Sequence, residues 1–185
     1  MAQRQLPGGR HGLSPQDVAD HQRQRIMDAV VRVTVEDGAG ALTVQRVLAH
    51  AGISRKTFYD HFANREAAVL ATYRLVTEQL VAAICSAAAD GRDPLAHGVD
   101  ALLSLVTARP DVARFCFVEA PRAGADIADV REALVAALAG WLERLGGHGA
   151  IRLRAGVGGL LEVLAAGPGD GAELLAFLRD VVADG

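Results

Sequence analysis

The sequence predicts an all-α protein of about nine helices, with a three-helix head containing a helix-turn-helix, joined by a long helix to a helical-bundle body. Three observations carry this expectation. Apolar residues recur at spacings of three and four, and no stretch alternates with the period of two that a half-buried strand requires. Pro and Gly clusters punctuate the chain at intervals suited to ordinary globular helices. Residues 43–66 then place two short amphipathic segments on either side of Gly52 and follow them with a third helix start.

Residues 1–13 are rich in Gln, Arg and Gly and have no apolar period, so a flexible arm is expected there. Arg4 and Arg10 could reach a minor groove from it, although a solvated tail is the plainer reading. Ser14-Pro15-Gln16-Asp17 reads as a helix start, with a cap, Pro at the first helical position and an acid in the first turn. Ile26, Val30 and Val33 give that helix its inner stripe, and Asp37-Gly38 ends it.

The next helix carries Val44, Val47, Leu48 and Ala51 on one stripe and leaves Gln45, Arg46 and His50 outward. Gly52 suits the positive φ of a helix C-terminus and a tight turn. Ser54 can cap the helix that follows. There Phe58 and Phe62, four residues apart, share a face with Ile53 and are expected to anchor the helix in the core. The opposite face carries Arg55, Lys56, Thr57, Tyr59 and His61, donors suited to phosphates and base edges in a major groove. Lys56 is the only lysine of the chain. With Thr43, Gln45, Arg46 and Ser54 these residues form the expected DNA-binding set. An ordinary helical hairpin would also place a Gly between two amphipathic helices, but it would not require aromatic anchors and a basic outer face to coincide over more than twenty residues.

This stretch resembles the TetR family of bacterial transcriptional regulators. Thr43 through Phe62 match that family's helix-turn-helix, and Phe58-Tyr59-Asp60-His61-Phe62 followed by Asn64-Arg65-Glu66-Ala67 is similar to its Tyr-x-His-Phe motif, polar cap, base and acid. The resemblance implies DNA-backbone contacts by Tyr59, His61 and Arg65. It is detailed over roughly residues 20–75, and elsewhere it extends only to helical character and length.

Asn64 can cap a fourth helix whose apolar set is Val69, Tyr73, Val76 and Leu80, with Asp90-Gly91 as its stop. Its length makes it the connection between head and body and the natural lever between them. Further helices are expected at about 94–108, 110–120, 126–146, 150–166 and 171–183, divided by Pro94, Pro110, Pro121, Pro168 and two Gly clusters. The domains are thus an arm at 1–13, a DNA-binding unit at 14–66 and a ligand-binding and dimerisation unit at 67–185.

The last helix has a wide apolar stripe from Leu174 to Val182, and the one before it carries Ala155, Gly156, Gly158 and Gly159. Each mid-helix Gly costs up to about 1 kcal/mol against Ala, so close packing has to offset it. A homodimer through about 150–183 is the preferred account, and the resemblance implies the same pair of helices; a loosely wound intramolecular helix is the alternative. One recognition helix reads few base pairs, so a dyad-related pair should read an inverted-repeat operator on double-stranded DNA with half-sites about 34 Å apart or a multiple of that.

Composition agrees with a small regulator. Hydrophobic residues make up 51% of the 185, yet no apolar run has the length expected of a membrane span or a secretory signal, so a cytoplasmic protein without a membrane partner is expected. The net charge of −3 hides an asymmetry of +3 over residues 1–74 and −6 over 75–185. The basic part holds the motif. Cys85 and Cys116 form neither a disulfide scaffold nor a Cys-x-x-Cys site, and buried reduced thiols outweigh a redox switch.

A small, largely apolar effector is expected in the body, with Tyr73, Leu103, Phe115, Phe117, Glu119, Trp141 and Leu142 as candidate lining residues, each of which could equally be plain core. No cofactor is called for. His97 with Asp93 and Asp100 reads as a helix start and solvated surface rather than a metal site. The motifs of metalloproteases, serine hydrolases, phosphate-binding loops and dinucleotide folds are missing from the sequence, so no enzymatic activity is expected. The leading expectation is a ligand-responsive, sequence-specific transcriptional repressor, repression resting on the resemblance alone. The alternative is an all-helical protein-interaction module whose helix-turn-helix no longer reads DNA.

Overall fold

The computed structural model describes residues 14–89, 92–167 and 169–183. The expected arm at 1–13 with Arg4 and Arg10, the Asp90-Gly91 stop and Pro168 lie outside the described residues. Within them the chain forms nine α-helices and no strand: α1 Pro15–Asp37, α2 Val44–Ala51, α3 Arg55–His61, α4 Arg65–Ala89, α5 Pro94–Ala108, α6 Pro110–Arg114, α7 Ala125–Arg144, α8 Ala150–Ala166 and α9 Gly171–Val182.

Side-chain caps start most of these helices. Ser14 and Asp17 form a reciprocal capping box on α1, with Pro15 at its first position. Asp93 accepts from Ala96 N–H at the head of α5, and Asp170 from Ala172 N–H at the head of α9. Gly38, at φ 84°, ends α1 and leads through a 3₁₀ turn at Ala39–Ala41 into α2.

One element departs from expectation. The helix expected over 110–120 is broken: α6 gives way to a π-turn at Phe115–Glu119 and a 3₁₀ turn at Ala120–Arg122. Pro121 supplies the physical reason. It has no N–H to return to the Phe117 carbonyl, and its ring would crowd that carbonyl in a regular α-turn. The backbone widens instead, and Ala120 N–H reaches the Phe115 carbonyl five residues back.

Two apolar clusters hold the molecule together. The body cluster gathers buried residues of α4, α5, α7, α8 and α9, including Ile84, Trp141, Val157 and Leu178. The head cluster joins Ile26, Val30 and Val33 of α1 with Val47, Phe58, Phe62, Val69 and Tyr73, and extends to Phe115 and Cys116 of the π-turn and Ile127 of α7. At roughly 1.5–3 kcal/mol per fully buried large side chain, each such contact matters against a marginal net stability. By length and composition α4 could cross a bilayer, but here its buried residues run through both clusters and Thr72 and Thr77 return their hydroxyls to the Ala68 and Tyr73 carbonyls. It is the shared core helix of head and body.

The glycines of α8 require a second correction. A Cβ on Gly156 would lie 2.7 Å from Val181 of α9, so the close approach that offsets its cost occurs within the chain. Gly158 meets nothing within 4 Å, and Gly159 meets only Phe177 at 3.8 Å.

Candidate nucleic-acid interface

The helix-turn-helix is assembled from caps and a left-handed turn. Thr43 Oγ1 accepts from Arg46 N–H at 3.3 Å to start α2. Gly52 closes that helix at φ 61°, ψ 42°, and Ser54 Oγ accepts from Thr57 N–H at 3.0 Å to start α3. Asn64 Oδ1 accepts from Ala67 N–H at 2.7 Å to start α4. Arg25 of α1 reaches across to donate to the Ala51 and Gly52 carbonyls, satisfying acceptors that the end of α2 leaves open. Sequence reasoning missed this clamp, because nothing local links residue 25 to residue 52.

On α3 the two faces separate as expected. Phe58 is fully buried and Phe62 nearly so, their rings 5.9 Å apart, and the Arg23 guanidinium lies 4.8 Å over Phe62. The opposite face presents Arg55, Lys56 and Tyr59, with Tyr59 48% exposed and the Lys56 side chain 85% exposed. Lys56 Nζ lies 2.8 Å from Asp60 one turn on. An exposed pair of that kind contributes at most about 1 kcal/mol, so it orients the ammonium without committing it.

The remaining residues of the expected set are less available. Gln45 is exposed, but Arg46 pairs with Asp37 at 2.5 Å. The Ser54 and Thr57 hydroxyls lie 2.9 Å apart and Thr57 is half-buried. His61 Nε2 is 3.3 Å from Gln22 Oε1 of α1. Arg65 donates Nη1–H to the Leu42 carbonyl at 2.7 Å and pairs through Nε with Glu66, whose carboxyl this contact holds below its usual range. His61 and Arg65 thus tie α3 and α4 to the rest of the head while about half of the Arg65 side chain stays in solvent.

The candidate effector residues do not converge on one space. Tyr73 and Phe115 pack ring to ring at 6.4 Å in the head core, and burial raises the Tyr73 phenol well above its usual range. Trp141 and Leu142 belong to the body core, where a Cβ on Gly98 would sit 2.6 Å from the Trp141 ring. Leu103 lies half-buried against Gly171. Glu119 is buried and accepts from Arg114 Nη2–H at 3.3 Å and Ala39 N–H at 3.4 Å. Of these residues Phe117 alone lines a mostly apolar cleft of about 200 Å³ between α1, α4, α5, α6 and the π-turn. Among the described residues no cluster of His, Cys, Asp and Glu could hold a metal ion.

A basic, exposed helix seated by two aromatics on a three-helix head, with a helical body behind it, is the arrangement of the all-α helix-turn-helix class. Residues 26–72, which span α2 and α3 with parts of α1 and α4, match the model of the bacterial regulatory proteins of the tetR family. The fold of the whole chain agrees. A TetR-family transcription regulator from Marinobacter aquaeolei VT8 superposes with a TM-score of 0.70 at 21% identity, over 91% of this chain and 99% of that one. The fatty acid degradation regulator FadR of Bacillus halodurans gives 0.73 at 19%, over 88% and 95%. FadR of Bacillus subtilis in complex with stearoyl-CoA gives 0.71 at 19%, over 86% and 97%. No curated protein matches the sequence significantly. TetR-family regulators are DNA-binding transcription factors rather than enzymes.

Proposed function

We propose that this protein is a ligand-responsive repressor that binds an inverted-repeat operator as a homodimer, with α3 of each protomer in a major groove. The carrying observation is the outward face of α3: Arg55, Lys56 and Tyr59 stand in solvent on a helix whose opposite side is locked into the core. Such a face can take up phosphates and base edges without unfolding anything behind it. Thr43, Gln45, Arg46, Ser54 and Thr57 flank it, and His61 and Arg65 stand at its far end.

The dimer surface is the outer side of α8 and α9, within about 150–183. Ile151 is 86% exposed there, with Val163 and Phe177 also in solvent and the small residues Ala155 and Gly159 between them. Large apolar side chains around small ones suit another helix pair laid across them. In the family, repression is released when an effector alters the separation of the two heads, and α4, shared by both cores, is one element that would move with such a change.

The test is selection of bound duplexes from a random library by the full chain, followed by titration of the enriched sequence. An enriched palindrome is expected. Lys56→Ala and Tyr59→Ala should each weaken binding by about tenfold or more while leaving the thermal midpoint unchanged, and Lys56→Ala should reduce the salt slope by about one. Binding that is indifferent to both substitutions would overturn the assignment. Salt-insensitive protein partners with no selected DNA would identify an interaction module instead.

A further inference from the structure

The cleft of about 200 Å³ lies between a head helix and the body. Met27 and Val31 of α1 form one wall, Leu75 and Val76 of α4 a second, and Cys116 and Phe117 of the π-turn part of its remaining surface. Thr72 adds no polar atom in practice, because its hydroxyl is committed to the Ala68 carbonyl at 2.7 Å. Gln24, Asp28, Gln79 and Arg109 also line the cleft, and several of their polar atoms already have partners. Arg109 makes two bonds of 3.1 Å to Asp111, which hold the Asp111 carboxyl below its ordinary range, and Gln24 donates to Asp28 at 3.0 Å.

We propose that this cleft binds a small, uncharged, largely apolar molecule of about one ring, and that the π-turn carries its occupancy to the reading head. Size fixes the first part. A cavity of about 150 Å³ holds benzene, and drug-sized sites begin near 300 Å³, so about 200 Å³ accommodates one ring with short substituents. A long acyl chain would leave most of its length in water. Charge fixes the rest. An anion would have to displace Asp111 from Arg109, and an ammonium would have to shed its water in a mostly apolar cleft for the one Asp28 oxygen that Gln24 leaves open, whereas a hydroxyl can meet the Gln79 amide or that same oxygen at smaller desolvation cost.

Transmission follows from chain connectivity. Cys116 and Phe117 line the cleft, and two residues on, the buried Glu119 carboxylate accepts from Ala39 N–H in the turn between α1 and α2. A molecule pressing on the π-turn therefore moves an acceptor attached to the helix-turn-helix from behind. Single π-turns within helices are found frequently at functional sites, and this one is packed into the head core through Phe115 and Cys116, so a displacement there is passed on.

The coupling rests on the DNA-binding reading, whereas binding to the cleft does not, so the two are measured separately. Benzyl alcohol is titrated into the full chain without DNA, followed by ligand-observed NMR and calorimetry, with benzoate, benzylamine and stearoyl-CoA as comparisons. Benzyl alcohol should bind at least tenfold more tightly than either charged ring and stearoyl-CoA should not compete with it. Ala113→Phe and Val76→Phe, which fill the cleft from two sides, should each abolish its binding in folded protein. Equal affinity for the charged rings, or binding unaffected by either filled variant, would overturn the site. With the selected operator, benzyl alcohol should change affinity at least threefold. Glu119→Ala should remove that change without removing benzyl alcohol binding, and Glu119→Gln, which keeps an acceptor for Ala39, should restore most of it. An unchanged response in Glu119→Ala would overturn the π-turn as the route.

Discussion

Gly52→Ala is the perturbation that most directly connects backbone conformation to the reading head. At φ 61° and ψ 42° the residue occupies the left-handed region, where an L side chain costs roughly 1–2 kcal/mol. The added Cβ would also lie 2.9 Å from Arg25 Nη2, which must then withdraw from the Ala51 and Gly52 carbonyls. Because Arg25 is exposed, those hydrogen bonds merit only about 0.5–1 kcal/mol. Together the two terms predict a loss of about 2 kcal/mol in urea unfolding. Arg25→Ala alone should cost only its own part, and the double variant should lose less than the sum, since the clash disappears with the guanidinium. Gly52→Asn should be milder than Gly52→Ala because Asn tolerates the left-handed region. Operator affinity should fall with the Ala variant even where the protein remains folded, because the turn sets the angle between α2 and α3. A Gly52→Ala protein within about 0.5 kcal/mol of the parent would refute the reasoning, since the left-handed term alone exceeds that.

Two further outcomes follow from the same structure. Cys85 is half-buried, whereas Cys116 is buried and its thiol is pushed up to about 12 by burial, so a disulfide reagent at pH 8 should titrate one thiol per folded chain and the second only on unfolding. Two fast thiols would contradict the packing of the π-turn. Asp93 accepts from Ala96 N–H and pairs with Arg179 of α9, which hold its carboxyl below the ordinary value of 3.8, so its charge stabilises the fold above that value and the benefit is lost as pH falls through the lower folded one. Asp93→Asn should therefore melt below the parent at pH 7, with the gap narrowing as pH falls below 3.8; a gap that stays constant through acid would show that the charge is not the cause.

Helices and caps were the legible part of this sequence because they are local. Ser14, Ser54 and Asn64, read as caps from the sequence, each cap a helix within three residues, and the apolar periods of α1 to α5 point to neighbours that the fold supplies. The recognition helix could be oriented from Phe58 and Phe62 alone. The cleft could not be read in the same way: its lining comes from five elements whose approach depends on interhelical packing, and aromatic residues are equally good as core, which is what Tyr73, Phe115 and Trp141 became. Arg25 and Glu119 illustrate the limit of spacing arguments, since each meets backbone far along the chain, at residues 51–52 and 39. Pro121 did signal an irregularity, but only the folded backbone shows that it is met by a π-turn upstream rather than by a simple helix end.

The division of α3 into a seated face and an open one also bears on how such a protein can diverge. At seven residues this helix is too short to persist alone in water, so its shape depends on Phe58, Phe62 and the Ser54 cap and hardly at all on Arg55 or Lys56. Substitutions on the open side change what is recognised while leaving the fold's stability nearly untouched. A duplicated copy could drift toward a new operator one exposed residue at a time, with no folding barrier between successive specificities.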